Sequence, residues 1–337
     1  MQSSLYNHSF HQNTLKHFSI LITGGAGFIG SHIVEYLLFH GAGKVRVIDD
    51  LSTGFRENIE PFLKNPAFEL IEGDIRHYPT CVESCKGIDL VCHQAAIGSV
   101  PRSIENPIYT NTVNVDGFVN IIKAAYENKV KRVVFASSSS VYGDDVTLPK
   151  KEEKIGNPLS PYAVSKLTNE LYSRVFAQVY GMEFIGLRYF NVFGPRQSPK
   201  GAYAAVIPLF IEGLKSGNPV YIDGNGEQTR DFTFVANAVQ ANILAMFTQN
   251  PIAINQIYNV AVGEQYSVND LFNLLARLLK SEQRPIYRNS RSGDVKVSLA
   301  DITKAQNILK YEPKVKFADG LQQTLSYFKK VEPISVI

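Results

Sequence analysis

Ile20-Leu21-Ile22-Thr23-Gly24-Gly25-Ala26-Gly27-Phe28-Ile29-Gly30 holds the pattern that decides the fold. A short apolar run leads into three glycines spaced three apart. Ile33, Val34, Leu37 and Leu38 then recur at helical spacing until Gly41 stops them. Strand, glycine turn and helix in that order open a βαβ unit. Val45-Arg46-Val47-Ile48 supplies a second strand, and strand-like runs at 68–71, 90–92 and 133–136 alternate with helical stretches. That alternation predicts an α/β fold: a doubly wound parallel sheet with helices on both faces.

The sequence has 337 residues, enough for one large domain carrying a smaller lobe. Residues 1–19 read as a polar arm containing His8, His11 and His17, residues 20–190 as the sheet domain, and residues 191–330 as a smaller C-terminal α/β lobe, some of whose segments return to the sheet. Prolines and glycines crowd 194–226, and the helical stretch 268–280 stands outside the strand alternation.

Hydrophobic residues make up 45% and charged residues 19%, with a net charge of +3, the balance of an ordinary globular enzyme. The basic residues are too few and too scattered for a nucleic-acid or membrane surface. No apolar run reaches the ~18 residues of a membrane helix, and the arm lacks the apolar stretch of a signal peptide. Cys81, Cys85 and Cys92 have no metal-ligand spacing, so reduced, packed thiols, no metal site and a cytoplasmic location are expected.

The glycines suit a dinucleotide phosphate. Gly24 permits the tight turn, Gly27 lets the backbone approach a pyrophosphate, and Gly30 lets helix and strand pack closely, while free N–H groups at the helix start face the phosphate charge. Asp49 ends the second strand, where a carboxylate can accept from both adenosine ribose hydroxyls and would repel a 2′-phosphate; NAD is therefore expected over NADP. Downstream, Ser137-Ser138-Ser139-Ser140 closes a strand, and Ser160-Pro161-Tyr162-Ala163-Val164-Ser165-Lys166 puts Tyr162 and Lys166 on one helix face, with Pro161 in the first turn. A free phenol titrates near ~10. An ammonium and an oxidised nicotinamide beside it favour the phenolate, making it a base at neutral pH.

This order of segments resembles the extended short-chain dehydrogenase/reductase family, and within it the UDP-sugar 4-epimerases, over nearly the whole chain. The markers are the glycine turn, Asp49-Asp50-Leu51-Ser52, Gly73-Asp74-Ile75, His93-Gln94-Ala95-Ala96, the serine run, Tyr162 with Lys166, Leu187-Arg188-Tyr189-Phe190-Asn191, Gly224-Asn225-Gly226-Glu227-Gln228-Thr229-Arg230-Asp231 and Arg291-Ser292-Gly293-Asp294. The resemblance implies a Rossmann-type fold and a tightly held NAD. Gly24, Gly27, Phe28, Ile29, Gly30, Asp49 and Asp50 would cradle it, Asp74 and Ile75 would flank its adenine, and Gln94, Ala95 and Ala96 would line its groove. Ser138, Tyr162 and Lys166 would be catalytic, Lys166 also holding the nicotinamide ribose. Asn191 would hold the sugar or its diphosphate, Arg230 and Arg291 would clamp the diphosphate, and Asp294 would lie near the uridine ribose. A homodimer through helices around 113–126 and 162–180 is also implied.

The dehydratases of this family carry an Asp-Glu pair where Ser139-Ser140 stand, and the decarboxylases a Glu at Ser140. Their absence implies a chain that only oxidises and reduces C4 of a UDP-hexose, in the supply of polysaccharide precursors. Ser298 stands where epimerases restricted to glucose and galactose carry a bulky Tyr, leaving room for an N-acetyl group. With Gly98-Ser99-Val100-Pro101-Arg102-Ser103 and Gly201-Ala202-Tyr203-Ala204-Ala205, it resembles the subgroup acting on UDP-GlcNAc and UDP-GalNAc. Ser99, Ser139 and Ala205 would line that sugar pocket. A UDP-glucuronate 4-epimerase is the nearest rival, disfavoured by Asn191 where those enzymes tend to have Thr. A catalytically silent NAD-binding scaffold is the reading of another class, and it is disfavoured by the presence of both Tyr162 and Lys166.

Overall fold

Strand β1 (Ser19–Thr23) is buried from its second residue onward, and β5 (Arg132–Ser138) is buried up to its last. Both faces of these strands are covered, so their sequences read as continuous apolar runs. With β2 (Lys44–Asp49), β3 (Phe68–Glu72), β4 (Leu90–His93), β6 (Glu183–Tyr189) and one later strand they form a seven-stranded parallel sheet. The computed structural model describes residues 4–199, 204–289 and 297–330.

The helices are α1 (Phe28–Phe39), α2 (Tyr78–Cys85), α3 (Val100–Glu105), α4 (Pro107–Asn111), α5 (Gly117–Glu127), α6 (Pro161–Tyr180), α7 (Val206–Ser216), α8 (Val235–Phe247), α9 (Val268–Leu279) and α10 (Phe317–Lys330). Short strands β7 (Val192–Phe193), β8 (Tyr221–Asp223), β9 (Thr229–Arg230) and β10 (Thr233–Phe234) precede β11 (Gln256–Val260), the seventh strand of the sheet; β12 (Tyr266–Ser267) and β13 (Ile286–Arg288) follow. The order β11-β6-β5-β4-β1-β2-β3 reverses between β1 and β4, which opens a crevice at their C-terminal ends.

One face of the sheet packs Val91, Val133 and Phe135 against Phe118, Ile121, Ile122 and Phe176 of α5 and α6. The other packs Ile20, Ile22 and Val134 against Ile33, Val34 and Leu37 of α1 and Val239 and Ile243 of α8; that core runs on into the C-terminal region through Phe210, Leu271 and Phe272. The arm is less polar in effect than its sequence suggests. Tyr6 and Leu15 are fully buried in this second core, and the Tyr6 hydroxyl bonds His32 Nδ1 at 2.7 Å. All three cysteines are buried and unbridged, with burial pushing each thiol up to about 12.

Candidate active site

At the β1–β4 crevice the glycine turn leaves no room for side chains. Gly24 has φ +69°, and a Cβ there would lie 2.7 Å from the Ala95 nitrogen; one at Gly30 would lie 2.1 Å from the Gly24 carbonyl oxygen. Gly27 lines this groove and precedes α1 without a side-chain cap, so no capping side chain takes the N–H groups of the helix's first turn, which begins at Phe28 and Ile29. Asp49 is buried at the end of β2. Its two oxygens accept from the main-chain nitrogens of Ala26 at 2.8 Å and Leu51 at 2.9 Å, while burial pushes its pKa up. Those bonds fix the carboxylate and leave acceptor sites for ribose hydroxyls. Asp50 turns the chain by accepting from Ser52.

Asp50, Asp74, Ile75, Gln94, Ala95 and Ala96 line the same groove as Gly24, Gly27 and Asp49. Arg76 takes both oxygens of Asp74 and holds its carboxyl below the usual range. Ile75 is buried against Gly117. Gln94 is bonded by Tyr189 and bonds Asn242. Val113 also lines the groove, and Asn114 holds both main-chain groups of Ile97. Neither was expected from the sequence, because nothing in a helical stretch announces contact with a distant loop.

The second half of the site joins β5 to α6. Ser160 caps α6 by accepting from the Ala163 nitrogen at 3.1 Å, and Pro161 sits in the first turn. Tyr162 and Lys166 follow one turn apart. Ser138 stands at the end of β5, and its side chain acts to lower the Tyr162 pKa. The Ser138 oxygen accepts from the Ser140 nitrogen at 3.1 Å and the Ser140 hydroxyl at 2.9 Å. With both lone pairs taken, Ser138 has only its proton left to offer a partner. Ser140 therefore orients Ser138, a role its sequence position does not disclose. Ser139 begins the 3₁₀ turn that follows the strand.

Burial raises the Tyr162 pKa, and the Ser138 side chain opposes the rise. Lys166 Nζ donates to the Ala136 carbonyl at 2.9 Å and lies 5.9 Å from the Tyr162 ring centroid. Burial brings the lysine's own pKa down to about 8.

Beyond β6, Asn191 adopts φ +36° and donates to the Asp231 carbonyl at 3.1 Å. The Ser298 nitrogen donates to Thr229 at 3.2 Å, setting that small, buried residue beside Arg230. Asp231 knits these segments together. It is fully buried, accepts from the nitrogens of Val262, Gly263 and Ala300, and is pushed up to about 6 by burial. Ser99 caps α3 at φ +106°, a strained conformation for a residue with a Cβ. Ala205 is exposed at the N-cap of α7. Arg291 and Asp294 lie outside the described residues.

A cradle without side chains, a helix N-terminus, a fixed carboxylate and a phenol on α6 form the constellation expected around a dinucleotide. Residues 20–261 match the model of the NAD dependent epimerase/dehydratase family. The chain belongs to that family. It is 38% identical to a putative UDP-glucose 4-epimerase of Methanocaldococcus jannaschii over 92% of this chain and 98% of that one. Among solved structures, the UDP-glucose 4-epimerase of Thermotoga maritima with UDP-glucose superposes with a TM-score of 0.87 at 38% identity, covering 93% of this chain and 99% of that one. The UDP-N-acetylglucosamine 4-epimerase of Methanobrevibacter ruminantium, in complex with UDP-N-acetylmuramic acid, gives 0.87 at 39%, covering 93% and 98%. The family's cofactor is NAD, and the groove beside Asp49 fits it. In this epimerase/dehydratase family member no described helix is long and apolar enough to cross a membrane.

Proposed function

We propose that this epimerase/dehydratase family member interconverts C4 epimers of UDP-hexoses, preferring UDP-GlcNAc and UDP-GalNAc, with UDP-glucose and UDP-galactose within its range. The observation that carries the reading is Ser138, oriented by Ser140 at the end of β5, working to lower the pKa of Tyr162, which stands one helical turn from Lys166. No carboxylate stands at the strand end. The nearby Glu170 is locked by Arg188 and Ser137, so no free acid there serves elimination or decarboxylation.

Bound NAD supplies the hydride acceptor and donor. Tyr162 takes the proton of the sugar's 4-hydroxyl, with Ser138 as relay, and Lys166 supplies positive charge beside it. Arg230, with Arg291, holds the diphosphate through paired guanidinium bonds while the 4-keto sugar turns over and presents its other face. Tyr162 then returns the proton to the same oxygen, and C4 is inverted with no net oxidation. The small Ser298 beside Arg230 supports room for an acetamido group; Ser99, Ser139 and Ala205 complete that pocket in this reading.

Steady-state kinetics with UDP-GlcNAc, UDP-glucose and UDP-glucuronate test the assignment. Highest kcat/KM on UDP-GlcNAc is expected. A clear preference for the glucuronate overturns the acetamido reading, and no epimer from any of the three overturns the epimerase itself.

A further inference from the structure

Behind the proposed catalytic residues lies a buried ion pair that the chemistry above does not use. Arg188, on β6, donates from Nε to Glu170 Oε1 at 2.9 Å and from Nη2 to Oε2 at 2.8 Å, and both side chains are almost fully buried. Glu170 lies one helical turn beyond Lys166 on the same face of α6, and Arg188 lies three residues before Asn191. The third partner is Ser137, whose hydroxyl donates to Glu170 Oε1 at 2.5 Å from the residue preceding Ser138. Arg188 also donates to the Glu152 carbonyl at 3.1 Å and stacks 4.9 Å from the centroid of Tyr142, which ends the turn after the serine run.

We infer that Glu170 and Arg188 are positioning residues, a clamp that acts through Ser137 to hold the Ser138 hydroxyl in register with Tyr162. This rests on the proposed roles of Tyr162 and Ser138. A planar fork bonded at two points fixes direction as well as distance, which an apolar contact does not. Successive residues of a strand point to opposite faces, so tethering the Ser137 side chain on one face sets the orientation of Ser138 on the other. The clamp thereby joins β5, α6 and β6, the three elements that carry Ser138, Tyr162 with Lys166, and Asn191. A shift of a few tenths of an ångström between them would lengthen the relay bond without moving the diphosphate contacts. The cost of losing the clamp therefore falls on turnover and not on substrate binding.

Glu170→Gln and Arg188→Met each leave a buried charge unpaired and can fail to fold for that reason. Ser137→Ala is the informative variant, because it cuts the tether and leaves the ion pair whole. The assay uses whichever UDP-sugar the wild type turns over best, with circular dichroism and the thermal midpoint as controls. Ser137→Ala is expected to lower kcat about tenfold with KM unchanged, to shift the acid limb of the kcat profile upward as the phenolate loses its oriented donor, and to recover in Ser137→Thr, which restores the hydroxyl. Wild-type kcat and pH profile in a folded Ser137→Ala, or a raised KM with unchanged kcat, overturn the clamp alone. A wild type inactive on every UDP-sugar overturns the clamp together with the reaction it serves.

Discussion

Lys166 donates through Nζ to the main-chain carbonyl of Ala136 at 2.9 Å, and not to Tyr162. Its ammonium lies 5.9 Å from the centroid of the Tyr162 ring. Burial brings that charge within reach of titration, since the lysine's pKa comes down to about 8. An ammonium that supports the phenolate is present below that pH and lost above it. The wild-type kcat/KM profile is therefore expected to fall on an alkaline limb near the lysine pKa. Lys166→Arg keeps a permanent cation, so it should be slower yet lack that limb. A limb that persists in Lys166→Arg assigns it to another group.

Asp49 serves two ends at once, bonding the nitrogens of Ala26 and Leu51 while facing the groove. Asp49→Asn keeps the shape but replaces a charged acceptor. NAD+ binding to cofactor-stripped protein should weaken roughly tenfold or more, and discrimination against NADP+ should shrink, as read by calorimetric titration of both. Equal affinity of the wild type for the two cofactors contradicts the role given to Asp49.

Two buried imidazoles make the fold acid-sensitive. His32 donates from Nε2 to the Pro195 carbonyl at 2.9 Å, so its Nδ1 accepts from Tyr6 and the ring is neutral; burial brings its pKa down to about 3. His93 pairs through Nδ1 with Thr23 at 2.9 Å and is likewise brought down to about 3. Between that value and the ordinary 6.5 the unfolded chain binds a proton that the folded chain refuses, so stability is lost as pH falls through this window. Each pH unit well inside it removes roughly 1.4 kcal/mol per ring. Asp231, raised to about 6, works in the opposite sense over the upper part of the window. Calorimetry should show the thermal midpoint dropping from pH 6 to pH 4, inside that window, and dropping less in His32→Gln. The same slope in both proteins removes His32 from the explanation.

The fold and the two poles of the site were legible because their signals are local. Gly24 to Gly30, Asp49 and the Tyr162–Lys166 spacing each sit within one turn or one strand, where a residue's neighbours in sequence are its neighbours in space. The site's supports are not local. Ser140 orienting Ser138, Asn114 holding Ile97, and Glu170 clamped by Arg188 eighteen positions on are side-chain bonds between separate elements, and no periodicity encodes them. The rise that burial imposes on the Tyr162 pKa is not legible for a related reason: charge is written in the sequence, whereas burial exists only once the chain has folded.

Val164, Leu171, Tyr172, Val175 and Val179 stand exposed along α6, with Tyr126 and Tyr180 at one end. We propose this apolar stripe as the face through which two copies of the chain associate. Leu171→Lys with Val175→Lys places charge in its centre and should convert a homodimer to monomer in light scattering at micromolar concentration. A monomeric wild type contradicts the assignment of this face.

The most direct measurement follows the hydrogen at C4. UDP-GlcNAc deuterated at that carbon is incubated with the purified protein in ordinary water, without added NAD+, and both epimers are read by NMR. The account predicts that UDP-GalNAc forms with the deuterium still on C4, because the atom leaves and returns within one closed site. Epimer formed with hydrogen at C4 in place of the label contradicts it, since the bond would then have been remade from solvent.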